Sequence, residues 1–188
     1  MADDLFSAAL AVQTALAQRG WKFCFIGGLA VQHWGRPRVT DVIDLTLLTG
    51  FGGEEDFISE LLQHYPSRIE QPMQFALRNR VLLLRTPAGF GLDVALGALD
   101  FEESAVARAA NVELLPGLSL RLCTAEDLIV MKAFADRPLD WEDVVSVARR
   151  QRQRLDWTYV YAQLEPLAAL KEAPDLVVRL RTVQRDNA

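Results

Sequence analysis

Cysteine and histidine are scarce in this chain, with two of each in 188 residues. A structural zinc site draws its ligands mostly from those two residue types, so none is expected here. Cys24 and Cys123 both stand inside apolar runs, which reads as two buried thiols in a reducing compartment. Basic charge is not in excess either: Lys and Arg number 20 against 25 Asp and Glu, a formal net charge of -5. That balance gives no global positive field for nucleic acid, and any RNA or DNA contact would rest on local patches. No apolar run approaches the ~20 residues needed to span a bilayer. The N-terminus offers Asp3 and Asp4 where a secretory signal carries basic residues. The expected location is the cytoplasm. Internal repeats and low-complexity linkers are also missing.

What is present is an ordinary core-forming composition, 51% hydrophobic and 24% charged, enough for one domain or one domain with a helical extension. Residues 3–19 place Leu5, Ala9, Val12 and Leu16 at helical spacing, and Gly20 supplies a stop. Residues 22–26, aromatic and apolar between glycines, read as a buried strand. A helix over 29–34 then ends near Gly35 and Pro37, and 39–48 is β-rich and carries Asp44. A turn at 50–53 leads to a helix over 54–64, with acids in its first turn. Residues 74–78, 80–86 and 91–96 read as successive strands, with a turn at Pro87-Ala88-Gly89. Asp100 with Glu103 forms a capping box for a helix to about Ala110, and 118–122 is a short strand. From Thr124 onward the pattern is helical only, with starts at Thr124, Asp140, Asp156 and near Pro174. Strands early and helices late imply an α+β fold: a mixed β-sheet core with flanking helices over 1–122, and a C-terminal helical bundle over 123–188.

Two features point to chemistry. Gly27-Gly28, between a strand and a helix, lets a backbone approach a phosphate closely, and the helix start offers free N–H groups to an anion. Asp44 and Asp93 are lone acids inside apolar strands. Leu92, Val94 and Leu96 share one strand face, so Asp93 points the other way, and a buried acid costs desolvation energy unless something pairs with it. A functional carboxylate and a buried ion pair both fit that pattern. Arg36 and Arg38 flank Pro37 nearby, with guanidinium forks that suit phosphate oxygens or simply solvent. The basic run Arg149 to Arg154 closes a helix, where the macrodipole favours cations; contact with an RNA backbone is the alternative.

The order Gly27-Gly28, Trp34-Gly35, Arg36-Pro37-Arg38, Thr40 and Asp44-Leu45-Thr46 resembles the minimal nucleotidyltransferases of the polymerase-beta-like fold, and within them the AbiEii-like toxin family of bacteria. Residues 124–143, with Lys132 and then Arg137, Asp140 and Asp143, resemble the same family, and the likeness runs over roughly 23–148. The resemblance implies transfer of a nucleoside monophosphate from an NTP to a hydroxyl, with release of pyrophosphate. It implies Mg²⁺ held by an Asp-x-Asp pair, with a third acid on a later strand that also activates the attacking hydroxyl. Asp44 and Asp93 match two of those acids. Gly27, Gly28 and Lys132 would hold phosphates, while Arg137, Asp140 and Asp143 would lock the helical part to the core. The implied acceptor is tRNA, and the implied partner an antitoxin protein. Related folds modify aminoglycosides or lincosamides, which keeps a small-molecule acceptor open.

The chain departs from the pattern at Val42, where the first aspartate of the pair would stand. Asp41 is adjacent but three residues from Asp44, and in a regular strand the two face opposite sides. A β-bulge that restores the parity would bring Asp41 round. The other readings are a degenerate nucleotide- or partner-binding module and a simple loss of the aspartate.

Overall fold

The computed structural model describes residues 2–187. The chain divides into two compact units. The first comprises the chain up to Leu29 together with Val39–Cys123, and the second comprises Ala30–Arg38 together with the chain from Thr124 on.

The first unit carries α1 (Ala2–Gln18), β1 (Phe23–Phe25), the start of α2 (Gly27–Trp34), β2 (Val42–Leu48), α3 (Glu54–His64), α4 (Pro72–Asn79), β3 (Val81–Arg85), β4 (Gly91–Gly97), α5 (Asp100–Arg108), β5 (Ala110–Leu115) and β6 (Leu118–Leu122). Its strands form one mixed sheet in the order β3-β4-β2-β1-β6-β5. The neighbouring strands β2 and β4 are parallel, and β1 and β3 run antiparallel to them on either side. Strict alternation sets the faces. Ile43, Leu45 and Leu47 of β2 and Leu92, Val94 and Leu96 of β4 are all buried in one core with Leu5, Ala9, Val12 and Leu16 of α1. The opposite face of the same strands carries Val42, Asp44 and Thr46 of β2 and Gly91, Asp93 and Ala95 of β4.

Two elements differ from the sequence reading. Residues 74–78 are not a strand but the body of α4, which Pro72 opens at its first turn and Arg80 closes in the left-handed region at φ 54°. Side-chain bonds from Arg80 to Glu54 and to the Leu96 carbonyl hold that unusual backbone in place. β5, in a stretch to which the sequence reading assigned no element, pairs antiparallel with β6. The cap of α5 also moves: Glu102, not Glu103, reaches back, accepting from the Ala98 and Leu99 N–H groups at 2.8 and 2.9 Å.

The second unit carries the rest of α2, α6 (Ala125–Ala135), α7 (Pro138–Gln151), a 3₁₀ turn (Arg152–Arg154), α8 (Trp157–Leu170) and α9 (Asp175–Asn187). Helix α6 is apolar nearly all round, as a helix surrounded by others must be, and packs against α7, α8 and α9. Thr124 and Asp156 cap α6 and α8 as their sequence positions suggest, accepting from the N–H groups of Asp127 and Tyr159. Helix α7 starts earlier than expected, at Pro138, which places Asp140 inside its first turn. No helix among the described residues is long and apolar enough to cross a membrane.

Candidate active site

Asp44 and Asp93 are paired in register across the parallel β2–β4 ladder. Neighbouring strands lie about 4.8 Å apart, and register partners in a parallel pair point to the same face. The two carboxylates therefore stand side by side on the sheet face that the core leaves open. Leu83 of β3 continues the same row beyond Asp93.

Each carboxylate has its own neighbourhood. Asp44 lies against the Gly27-Gly28 turn, and its Oδ2 accepts weakly from the Gly28 N–H at 3.4 Å. An anion there also meets the positive end of α2. Gly27 has φ 56°, and a Cβ built on it would stand 2.6 Å from the Asp44 Cγ. A Cβ on Gly28 would stand 2.9 Å from the Thr40 hydroxyl. Both glycines thus make room for the protein's own side chains, a role the sequence reading did not foresee.

Asp93 is ion-paired with Arg68. Burial pushes the Asp93 carboxyl above its ordinary range, and the charge and hydrogen bond of Arg68 bring it only part of the way back. Arg68 comes from the loop between α3 and α4. That loop is stitched to β3 by the Arg68 N–H on the Leu83 carbonyl at 3.0 Å and by a bridge between Ser67 and Leu84. The Arg68 Nε is buried and has no hydrogen-bond partner among the described residues. Sequence reasoning missed Arg68; the signal was the acid itself, since a half-buried Asp93 needs a cation.

Val42 shares the face of Asp44, two residues away, and its methyls fill the space opposite Gly91, where a Cβ would come within 3.1 Å. The β2–β4 register runs without a shift from Val42 to Leu48. The strand therefore has no bulge of the kind that would turn Asp41, which is exposed one residue before it, toward Asp44. Among the described residues no group of three His, Cys, Asp or Glu side chains is placed to hold a metal ion. The donor set still fits one hard cation brought by a polyphosphate, because Mg²⁺ is commonly held by one or two carboxylates plus substrate phosphates. It does not fit a second ion.

The remaining expected site residues belong to the second unit. Lys132 is 8% exposed, and its ammonium lies 2.7 Å from Asp140 and 3.0 Å from Asp143. Arg38 forks onto the two Asp143 oxygens at 3.1 Å each, and Arg137 donates to Asp140. The Lys132 ammonium is thus committed to two carboxylates, and Arg38 ties the segment after α2 to α7. Burial acts first on Asp140 and would raise its carboxyl, but the bonds and charges of Arg137 and Lys132 outweigh it and hold the group below its ordinary range. Arg36 is exposed, and its backbone N–H donates to Ser146 at 3.2 Å.

No protein-family model and no curated protein matches the chain. Solved structures do. The antibiotic-resistance factor ANT(2'')-Ia in solution is 19% identical, over 92% of this chain and 97% of that one, with a TM-score of 0.57. ANT(2'')-Ia in complex with adenylyl-2''-tobramycin is 18% identical over 88% and 98%, with a TM-score of 0.52. The lincosamide antibiotic adenylyltransferase LnuA with lincomycin bound is 11% identical over 75% and 94%, with a TM-score of 0.51. The fold is that of the nucleotidyltransferases. The AbiEii-like likeness rests on the motif alone.

Proposed function

We propose that this protein transfers a nucleoside monophosphate from a nucleoside triphosphate to a hydroxyl group of a small-molecule acceptor. The observation that carries the reading is the register of Asp44 against Asp93 beside the Gly27-Gly28 turn. Asp44 and Asp93 are the residues that would hold Mg²⁺ with the triphosphate. The ion, when bound, supplies charge neutralisation at the phosphates. In the transfer the acceptor oxygen bonds to the α-phosphorus. The bridging P–O bond to the β-phosphate breaks, and pyrophosphate leaves with that electron pair. The hydroxyl proton goes to an Asp93 oxygen. Arg68, with one buried donor unused, gains by turning from Asp93 toward a phosphate oxygen.

Adenylyl-2''-tobramycin and lincomycin are small molecules in the structures named for them, and this supports a small-molecule acceptor over tRNA. A tRNA acceptor and an antitoxin partner have only the motif resemblance behind them. A second reading, a nucleotide-binding module without catalysis, is favoured by Val42 in place of a carboxylate and by Arg68 on Asp93.

The test incubates the protein with each α-labelled NTP, Mg²⁺ and a panel of aminoglycosides, lincosamides and bulk tRNA. Label on a small molecule supports transfer. Thermal stabilisation by NTP with Mg²⁺ and no labelled product supports the binding module. Label on tRNA alone overturns the acceptor class, and neither stabilisation nor label overturns both readings.

A further inference from the structure

The segment after α2 and helix α7 border a cleft of about 900 Å³ within the second unit. Arg36, Arg38, Arg149, Arg150 and Arg179 line it, against the acids Glu142 and Asp143. Asp143 is already matched by Lys132 and Arg38. That is a local excess of positive charge in a chain whose formal charge is -5. The macrodipole accounts for Arg149 and Arg150, in the last turn of α7. It does not account for Arg36 and Arg38 in a loop or Arg179 in α9, so their convergence is a property of the tertiary fold.

Several of these guanidinium groups are aimed by neutral partners. Arg150 donates to the Gly35 carbonyl at 2.6 Å and Arg149 to the Asn187 side chain at 2.7 Å. Arg179 lies over the Trp141 ring, 4.3 Å from its centroid, with Asp136 at 3.6 Å. For Arg149 and Arg150 the neutral partners fix direction without cancelling charge, whereas the charge of Arg179 is partly matched by Asp136. The field reaches His33, whose imidazole is held below its usual range by burial first and by the Arg150 charge second. Between the arginines the lining is apolar, with Pro37, Pro138, Leu139 and Val145. Leu139 is 49% exposed.

We infer that this cleft binds a small organic phosphate monoester, its dianionic head on the arginines and its apolar body over Leu139 and the prolines. Guanidinium forks match phosphate oxygens, and a cleft concentrates the field of charges that line it. The volume is that of a small-molecule site. A polycation would be repelled. A nucleic-acid strand would need an extended basic track, whereas these arginines surround one hollow. The inference does not rest on nucleotidyl transfer, because neither Asp44, Asp93 nor the Gly27-Gly28 turn takes part.

The test is calorimetric titration of the full chain with 1-naphthyl phosphate, with 1-naphthol and spermidine as controls. Saturable binding by the phosphate alone is expected, weakened at least tenfold in the double variant Arg36→Ser, Arg149→Ser. Both side chains are exposed, so the fold should survive, and circular dichroism checks that. Asp44→Asn should leave this binding unchanged while removing any stabilisation by NTP with Mg²⁺, which separates this site from the carboxylate pair. Absence of binding, equal binding of 1-naphthol, or unchanged affinity in the double variant overturns the inference. So does loss of binding in Asp44→Asn. Displacement of the naphthyl phosphate by a single-stranded RNA at lower concentration overturns the small-molecule assignment.

Discussion

Asp44 and Asp93 stand side by side in register on two parallel strands, yet each has a different neighbour, Asp44 accepting weakly from the Gly28 N–H and Asp93 ion-paired with Arg68. Two carboxylates so close repel each other, and the Arg68 charge beside Asp93 offsets part of that repulsion. The same arrangement leaves both oxygen pairs on one open face of the sheet. What the face lacks is a third acid, because Val42 occupies the position two residues before Asp44.

Val42→Asp tests that gap directly. The new carboxylate would share the face of Asp44 and Asp93 with no extra cation to balance it. Burying an unpaired polar group costs about 1–3 kcal/mol, so the melting temperature should fall in the absence of metal. Addition of Mg²⁺ with an NTP should recover it, and labelled-NTP transfer should rise at least tenfold over the unsubstituted chain. A variant that loses stability and regains none with Mg²⁺ and NTP would count against a metal–triphosphate site on this face.

Arg68→Ala leaves Asp93 without its cation. Removing one partner of a buried charged hydrogen bond costs about 1–3 kcal/mol, which urea unfolding at neutral pH reads. The pH dependence has a definite sign. The Asp93 carboxyl already lies above its ordinary 3.8, and burial, its largest cause, is untouched by the substitution, whereas both opposing effects of Arg68 disappear. An acid whose folded value is raised favours the folded state when protonated. Stability of the variant should therefore increase as pH falls through the raised value, over a window extending higher than in the unsubstituted chain. NMR titration of the Asp93 carboxyl would show the upward move directly.

The acids were legible in the sequence because each interrupts an apolar alternation, which a strand tolerates only on the face away from the core. Their partners were not. Arg68 sits in a loop 25 residues from Asp93 and acquires its meaning only when that loop is bonded to β3. The family resemblance alone gives Lys132 a phosphate role, and nothing local shows that α7 returns two carboxylates to it, 8 residues on in the case of Asp140. Residues 74–78 hold a short apolar run, Phe75 to Leu77, that fits a strand or a helix alike, and only one residue of α4, Ala76, is fully buried, so the helical period had little to register. The early-strand, late-helix order survived such local errors because fold class depends on many elements at once.

Gly27→Ala should be among the more damaging single-methyl additions. The backbone at φ 56° costs a β-carbon about 1–2 kcal/mol, and the collision with the Asp44 carboxylate adds about 1–3 kcal/mol of overpacking. Asp44 has to move, so stabilisation by NTP with Mg²⁺ should be lost along with folding stability. Gly20→Ala is the matched control: its φ is 69° but nothing lies within 4 Å of the added methyl, so only the backbone cost should appear. Equal losses in the two variants would mean that Asp44 does not press on the turn.

Lys132 and Asp140 set the acid limit of the helical unit. Asp140 is 2% exposed, and although burial alone would raise its carboxyl, Arg137 and Lys132 hold it below its ordinary 3.8. A depressed carboxyl contributes stability that is fully present above its unfolded value and is lost as pH falls through the folded one. The unsubstituted chain should keep this contribution at pH 5 and lose it progressively below about pH 4. Lys132→Met removes the shared cation while keeping most of the volume; Arg137 stays on Asp140 and Arg38 on Asp143, so the cost should fall below the ~3–5 kcal/mol of a fully unpaired buried charge. In that variant the Asp140 carboxyl moves upward, with Arg137 still holding part of the shift back, so the stability deficit measured by urea unfolding should be largest near neutral pH and should narrow as the pH is lowered and Asp140 takes up its proton. A deficit independent of pH would mean that Lys132 contributes by packing alone.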